Sequence, residues 1–206
     1  TIAGQWRLDG ERFEQIMAIP NPRAVSSWND RMVVGTQDGT LWVEGEGAPV
    51  GHVGHGITDM TPAGERLVVA DQAGGLYVFD HVGAPPRPLR GHDQYIHALA
   101  AHPDGRWVAS SGWDRTVWLW DLAVDPPVGR PLTGHRAAVT DLLWSADGGI
   151  LYSADLAGSV RRWTDPLSTD PAGLRAQIQA MADATQAGQP LPTVAELAAL
   201  AEPSSD

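Results

Sequence analysis

A four-residue turn recurs along this chain at nearly constant spacing, and this repetition constrains the fold more than any other feature. The copies begin at Asp38, Ala73, Asp114 and Ala157, which are 35, 41 and 43 residues apart. A short apolar segment follows each copy, and the residues at its end are Glu44, Phe79, Trp120 and Trp163. Repeats of this length are typical of one small antiparallel sheet per repeat. The sequence therefore predicts an all-β fold of about four similar sheets.

The third copy is the most complete, and it shows what one repeat contains. Residues 91–121 read GHDQYIHALAAHPDGRWVASSGWDRTVWLWD, which is three apolar strands separated by turns at Asp104-Gly105 and Asp114-Arg115. The runs at 66–70 and 118–120 are apolar on both faces of the strand, as expected for sheets packed between two neighbours. A Gly-His start and a Trp-Asp end at this distance resemble one blade of the WD-repeat family.

The resemblance covers about residues 15–168 and implies a β-propeller. That family usually closes its ring with seven blades, so four blades look like the C-terminal part of a larger ring. We expect the missing blades on a protein partner, either the upstream part of the same protein or another subunit. A four-blade ring closed by residues 1–16 is the rival interpretation. Because the first residue is Thr and not Met, we also expect a fragment or a cleavage product.

The two ends of the chain depart from the repeat. Residues 1–16 contain an Asp9-Gly10 turn and predict a hairpin, interpreted as the remnant of a preceding blade. Residues 17–168 hold the four blades. Residues 169–206 predict two short helices, the first capped at Asp170-Pro171 and the second by Thr193 with Glu196. The helices either cover the open edge of the last blade or dock on another subunit or domain.

Composition excludes several classes of function. The formal charge is −11 and there is no lysine, which argues against nucleic acid as the partner. No run approaches 18 apolar residues and no signal peptide is evident, so we expect a cytoplasmic protein without a membrane partner. Without cysteine there is no thiolate nucleophile or thiolate metal site.

Three polar residues of the third repeat have the types of a nucleophilic triad: His92, Ser110 and Asp114. The family resemblance instead implies a structural hydrogen-bond network formed by these residues and Trp120. The last repeat keeps His135, Ser153 and Trp163 but has Ala157 in place of the aspartate. The second repeat keeps His55 but lacks both the serine and the aspartate. We therefore expect packing to hold these two blades.

Other catalytic or metal-binding interpretations are weaker. Two sets of histidines have spacing that metal ligands could use: His52 with His55, and His92 with His97 and His102. In the second set, however, strand geometry sends His92 and His102 to different ends of a blade. Thr1 as an N-terminal nucleophile has no activating lysine. We expect no catalytic residue, no metal and no cofactor in this chain.

A recognition surface is the remaining candidate. In WD-repeat propellers, the partner-binding face commonly uses the entry to the first strand and the residue before the turn aspartate. The matching residues here are Tyr95, His97, Trp113, Thr140, Leu156, Gln72 and Gln37. Tyr95, His97 and Trp113 are ring-bearing, a type enriched at interface hot spots. The alternative is that Trp113 only packs over a neighbouring blade.

The predicted function is a non-catalytic protein-interaction or sensor scaffold, the C-terminal propeller half of a larger multidomain protein. The resemblance suggests a bacterial signalling protein with a kinase, protease or nucleotide-switch domain upstream. The alternative is a hydrolase-type propeller with its active site at the central channel. Against that alternative, the sequence shows no carboxylate pair, phosphate-binding glycine loop or metal-ligand set.

Overall fold

Strands joined by turns make up the described part of the chain. The computed structural model describes residues 2–9, 12–164 and 166–167, with side chains described from residue 18 onward. The strands are β1 (Ile2–Asp9), β2 (Arg12–Pro20), β3 (Pro22–Trp28), β4 (Arg31–Thr36), β5 (Thr40–Val43), β6 (Gly51–His52), β7 (Ile57–Ala63), β8 (Arg66–Asp71), β9 (Leu76–Phe79), β10 (Arg87–Leu89), β11 (Ile96–Ala101), β12 (Trp107–Gly112), β13 (Val117–Asp121), β14 (Val128–Leu132), β15 (Val139–Trp144), β16 (Ile150–Asp155) and β17 (Val160–Thr164).

These strands form four consecutive antiparallel sheets of the predicted kind, which we call blades 1 to 4. Blade 1 holds β3 to β6, blade 2 holds β7 to β10, and blade 3 holds β11 to β14, each with its strands in sequence order across the sheet. Blade 4 holds β15, β16 and β17. The prediction of all-β blades repeating along the chain agrees with this arrangement.

The helical part of the predicted fold class is corrected. The described residues contain no helix, so this part of the chain is all-β throughout. Both predicted helices fall within residues 169–206, which lie outside the described residues. The part of the chain that the structure describes also contains no helix long and apolar enough to cross a bilayer.

The first two strands form a hairpin of their own. β1 pairs with β2 in antiparallel register from Ile2 opposite Pro20 to Asp9 opposite Arg12. The pairing therefore extends past residue 16, the boundary that the sequence predicts. That this hairpin is the remnant of a preceding blade stays a prediction.

The core lies between the blades, as the two-sided apolar runs predict. In β8 of blade 2, Leu67 and Val69 belong to a buried cluster shared with blade 1, whereas Val68 and Ala70 belong to a cluster shared with blade 3. Successive side chains of a strand point to opposite faces, so one strand supplies two interfaces. This is why every residue of this run must be apolar.

The first strand of each blade lies innermost, and these strands pack in series. β3 packs on β7, β7 on β11, and β11 on β15, whereas β15 and β3 share no comparable packing in the described residues. The described blades therefore pack as a series from blade 1 to blade 4, and both the larger ring and the four-blade ring closed by residues 1–16 stay predictions.

Candidate functional site

A β-bulge at the start of each blade positions the predicted binding residues. The first strand of every blade skips one residue in its pairing with the second strand, and the skipped residues are Arg23, Thr58, His97 and Thr140. Bulges bend the strand and re-aim the extra side chain, and they recur beside functional sites. His97 and Thr140 were predicted to face a partner, and the bulge is the local structure that sets their orientation.

In each blade, a backbone hydrogen bond joins the residue before the turn to the entry of the first strand, the two predicted binding positions. In blade 3, the N–H of Trp113 donates to the carbonyl of Tyr95 at 2.9 Å. The same bond joins Leu156 to Ala138, Gln72 to Gly56 and Gln37 to Asn21. Each blade therefore brings its strand entry and its turn together at one end of the sheet.

In blade 3 this arrangement assembles three aromatic rings into one cluster, which we call the aromatic cluster (Tyr95, His97 and Trp113). The rings of His97 and Trp113 are stacked with centroids 6.2 Å apart. Tyr95 contacts His97 edge-to-face, with centroids 4.9 Å apart. Trp113 is nevertheless 55% exposed, so it does not fill the space between blades. The binding role of Trp113 and the alternative that it only packs over a neighbouring blade both stay predictions.

A hydrogen bond fixes the protonation state within the aromatic cluster. The indole N–H of Trp113 donates to Nε2 of His97 at 2.7 Å. Nε2 is an acceptor only in the neutral imidazole that carries its proton on Nδ1. Burial lowers the pKa of His97, which favours the same neutral form. The cluster thus presents an uncharged surface whose geometry depends on His97 staying neutral.

The remaining predicted binding residues lie at the same end of their own blades but outside the aromatic cluster. Leu156 is exposed on blade 4, and the hydroxyl of Thr140 reaches the carbonyl of Ala154 at 3.5 Å. Gln37 and Gln72 both lie next to Gly56, where an added Cβ would meet atoms of both. The structure therefore brings Gln37 near Gln72, and Tyr95 together with His97 and Trp113.

The four network residues of blade 3 come together inside the sheet. His92 bridges Asp114 and Ser110, with Nδ1 2.6 Å from the carboxylate and Nε2 2.7 Å from the hydroxyl. Trp120 donates its indole N–H to the same hydroxyl at 2.9 Å. Although burial acts to raise it, the hydrogen bonds from His92 and Thr116 hold the pKa of Asp114 below its ordinary value.

This geometry has the connections of a catalytic triad but not its accessibility. Ser110 is fully buried, and its oxygen is already bonded to both His92 and Trp120. A nucleophile must reach an incoming carbonyl, and a hydroxyl sealed between two blades does not. The arrangement satisfies buried polar groups and fixes the turn that carries Trp113.

Blade 4 contains the same network with its aspartate in another place. Nδ1 of His135 lies 2.8 Å from Asp155 and Nε2 lies 2.6 Å from Ser153, which accepts the indole N–H of Trp163 at 2.8 Å. The prediction that Ala157 leaves this blade without a carboxylate is therefore wrong. Hydrogen bonds, first from His135 and then from the Ser159 backbone, lower the pKa of Asp155.

Blade 2 also moves its aspartate by two residues. Asp71 is buried and accepts N–H groups of Ala73 and Gly75 and the hydroxyl of Tyr77. His55 lies farther away, with Nδ1 3.7 Å from the carboxylate, and its side chain is largely exposed. Here Tyr77 takes the place that the buried histidine holds in blades 3 and 4, and the expectation that packing mainly holds this blade stays a prediction.

Sequence reasoning missed one further carboxylate, which joins two blades. Asp59 of blade 2 accepts the backbone N–H of Leu99 in blade 3 at 2.7 Å. Burial, as the largest cause, raises the pKa of Asp59. The available signal was the repeated Thr-Asp pair, Thr58-Asp59 and Thr140-Asp141, directly after the strand entry.

The histidines do not converge on a metal. No group of three or more potential ligands with suitable geometry occurs in the described residues. His102 bonds to the Gly148 carbonyl and pairs with Asp104, whereas His92 is held by Asp114. As the strand geometry predicts, the two histidines serve different parts of the blade.

Comparison with known proteins agrees with this architecture. The family model described as WD40, "WD domain, G-beta repeat", matches residues 83–121 and 127–164. The chain is 40% identical over 79 residues to "Target of rapamycin complex subunit wat1" of Schizosaccharomyces pombe, which covers 38% of this chain and 24% of that protein. It is 39% identical over 88 residues to "Coronin-7" of Bos taurus, covering 42% and 10% respectively. The chain thus spans a quarter or less of these curated relatives.

Solved structures match over more of the chain and show the fold alone. A chain of the "Mitotic Checkpoint Complex" superposes with a TM-score of 0.69 at 18% identity, covering 81% of this chain and 57% of the other. The "computationally designed Ika4 protein" superposes with a TM-score of 0.60 at 24% identity, covering 71% and 92%. Both matches support the same serial blade architecture.

Proposed function

We propose that this chain, which carries WD40 repeats folded as propeller blades, is a non-catalytic platform for binding other proteins. The observation that carries the proposal is the aromatic cluster. A bulged strand and a buried hydrogen-bond network present three rings at one end of blade 3, with Trp113 more than half exposed. Rigid aromatic side chains on a fixed scaffold are typical anchors of protein interfaces.

The named relatives support a role in protein assemblies. One is a complex subunit by its name, and another protein similar to this chain is the "Small ribosomal subunit protein RACK1y" of Oryza sativa. Against a nucleophilic triad in blade 3, Ser110 and the side chain of His92 are buried inside that blade. The alternative of a hydrolase-type propeller with its active site at the central channel stays a prediction. The curated relatives named here are eukaryotic, so a bacterial source and a signalling role stay predictions. A cytoplasmic location is likewise proposed, and microscopy of the tagged full-length protein tests it.

We further propose that blades outside this chain complete the ring, supplied by the upstream part of the same protein or by another subunit. The serial packing of the described blades, in which β15 and β3 are not among the closely packed strand pairs, supports this. In that setting the chain is the C-terminal part of a multidomain sensor. Sedimentation of the isolated chain tests the proposal, since a stable monomer with no tendency to associate contradicts it.

The Trp113→Ala variant tests the binding platform. Because Trp113 is exposed, the variant should keep the melting temperature of the wild type while losing about tenfold or more in partner affinity, the typical effect of an anchor residue. Affinity capture from lysate of the source cells, with bound proteins quantified by mass spectrometry, measures this loss.

Val124→Ala is the matched control, because Val124 is an exposed apolar residue in the loop at the opposite end of blade 3. It should capture the same proteins as the wild type. Equal capture by the Trp113 variant would remove the aromatic cluster from the interface, and loss of the folded state would make Trp113 structural.

A further inference from the structure

The exposed side chain of Trp113 is oriented by a contact that its backbone does not control. The backbone N–H of Trp113 donates to the Tyr95 carbonyl at 2.9 Å, and Gly112 before it lies so close to that carbonyl that an added Cβ would be 2.5 Å from the oxygen. The main chain is therefore fixed. The indole has a single N–H, and it donates to Nε2 of His97 at 2.7 Å. The direction in which the indole points thus depends on His97.

This hydrogen bond exists only while His97 is neutral. Nε2 accepts through its lone pair, and protonation converts it into a donor. Two N–H groups would then face each other across the 2.7 Å that separates the two nitrogen atoms. A positive charge would also lie among the rings of Tyr95 and Trp113, whose centroids are 4.9 and 6.2 Å from that of His97. Protonation of His97 therefore removes the bond that orients the indole.

The position of His97 in its blade makes this arrangement particular to blade 3. Every blade brings a bulge residue and a turn residue to the same end of its sheet, and the four pairs are Arg23 with Gln37, Thr58 with Gln72, His97 with Trp113, and Thr140 with Leu156. Of these side-chain types, only the imidazole titrates between pH 5 and pH 8. Blade 3 therefore combines a titrating acceptor with an indole donor, which the other three pairs do not.

The charged groups on the elements packed against β11 have partners of their own or face solvent. Four carboxylates accept backbone N–H groups: Asp59 on β7, Asp71 on β8, Asp114 in the turn after β12, and Asp141 on β15. Arg66 on β8 pairs with Asp80 at the opposite end of blade 2, and the side chain of Arg115 in the turn is exposed. Burial is the cause that shifts the pKa of His97, and it lowers that pKa. The neutral form is thus the one present at neutral pH.

We propose that His97 is the positioning residue of the aromatic cluster and that its protonation switches partner binding off. In its neutral form it holds Trp113 in the orientation that a partner contacts, and in its protonated form it releases the indole. This inference rests on the proposed function of the aromatic cluster as a binding surface. Because the pKa of His97 is lowered, binding should be complete above the ordinary imidazole value of about 6.5 and should fall as pH decreases through the folded-state value. The affinity should decrease by up to about tenfold per pH unit, the limit for one proton.

Nitrogen-15 relaxation of the Trp113 indole N–H tests the switch on the full 206-residue chain. The order parameter of this group, which reports the rigidity of the side chain, should be high at pH 7 and should decrease as the imidazole signals of His97 show protonation. His97→Gln supplies an acceptor oxygen that does not titrate, so in this variant the order parameter should not follow pH. His97→Phe keeps a ring without an acceptor and should give a low value at pH 7. An indole that stays ordered while His97 is protonated, or in His97→Phe, would overturn the proposal.

Partner binding is tested with the proteins that the wild type captures from lysate at pH 7 and that Trp113→Ala fails to capture. Washing at decreasing pH should release these proteins from the wild type as His97 titrates, and His97→Gln should show no such release. His55→Gln is the matched control, because His55 is a largely exposed histidine at the same end of blade 2, and it should leave the release unchanged. Release from His97→Gln at the same pH as from the wild type would contradict the inference, because the titrating group would then lie elsewhere. If no captured protein depends on Trp113, the proposed function fails instead, and the order parameter alone decides the role of His97.

Discussion

The carboxylate that holds a buried histidine stands at one of two positions in these blades. In blade 3 it is Asp114 in the turn, with Gly112 two residues earlier; in blade 4 it is Asp155 at the strand end, with Ala157 in the turn. In both cases one oxygen accepts backbone N–H groups of the turn and the other faces Nδ1 of the histidine. Equivalent chemistry is therefore reached from two sequence positions.

This exchange predicts a rescue between two substitutions. Asp155→Gly should lower the melting temperature, because the buried His135 then loses the carboxylate that faces its Nδ1 and is left with an unmet hydrogen bond. Adding Ala157→Asp, which copies the Gly112 and Asp114 pair, should recover most of the loss. Thermal denaturation of the two variants measures this. A double variant no more stable than the single one would show that the turn of blade 4 cannot adopt the geometry of blade 3.

The aromatic cluster predicts a pH dependence at His97. Its pKa is lowered in the folded state, so the unfolded chain binds a proton at a higher pH than the folded chain does. The stability linked to His97 is therefore complete above the ordinary imidazole pKa of about 6.5 and decreases as pH falls toward the folded-state value. Protonation also removes the acceptor of the Trp113 N–H. NMR titration should show the Trp113 indole signal moving together with His97, and His97→Gln should remove this shift.

At the scale of the element, the turn between the second and third strands requires one residue with positive φ. That residue is Gly39, Gly74 and Gly158 in three blades but Arg115 in blade 3, with φ of 66°. In blade 2 the requirement is also steric, since a Cβ on Gly74 would come 2.5 Å from the carbonyl oxygen of Gln94. The sequence pattern locates these turns because the residues that favour them are local.

Opposite substitutions in two turns should have opposite effects. Gly158→Ala should lower the free energy of unfolding by about 1 kcal/mol, since an L-residue is strained at this φ even though the space around Gly158 is open. Arg115→Gly should raise it by about 0.5 kcal/mol, because the relief of strain exceeds the added entropy of the unfolded chain. Urea denaturation with an unchanged m-value checks both, and the same sign for the two variants would contradict the turn geometry.

At the scale of the whole molecule, neighbouring blades are joined by apolar packing and by polar contacts that cross from one blade to the next. At the junction between blades 2 and 3, Asp59 reaches from β7 to the backbone of β11 beside the buried cluster that the two blades share, and Arg87 pairs with Asp125 at 3.0 Å. The raised pKa of Asp59 shows that burial of the charge is not fully offset by the two N–H groups it accepts. The junction therefore contains a titratable group that weakens it at neutral pH.

The Asp59→Asn variant tests the free-energy cost of burying the charge of Asp59. Because the folded-state pKa of Asp59 is raised, the stability linked to it is present at acid pH and is lost as pH rises from the unfolded-state value of about 3.9 through the folded-state value. A neutral amide keeps the acceptor oxygen for the Leu99 N–H without the charge but loses the one that accepts the Met60 N–H. The stability of the variant relative to the wild type should therefore be greatest at pH 7, where the wild-type carboxylate is charged. The difference should shrink toward pH 3, measured by thermal denaturation at both values. A constant difference would assign the effect to packing.

The sequence alone determined the number and order of the blades, since strand alternation and turn chemistry act between residues close together in the chain. It also identified His92, Ser110, Asp114 and Trp120, whose spacing within one repeat is fixed. Only the tertiary structure decided that Asp155 replaces a turn aspartate, that Asp59 serves the next blade, and that Trp113 stacks on His97 instead of entering the core. These contacts depend on how one sheet meets another and on what each strand leaves uncovered, and neither is encoded at a fixed sequence distance.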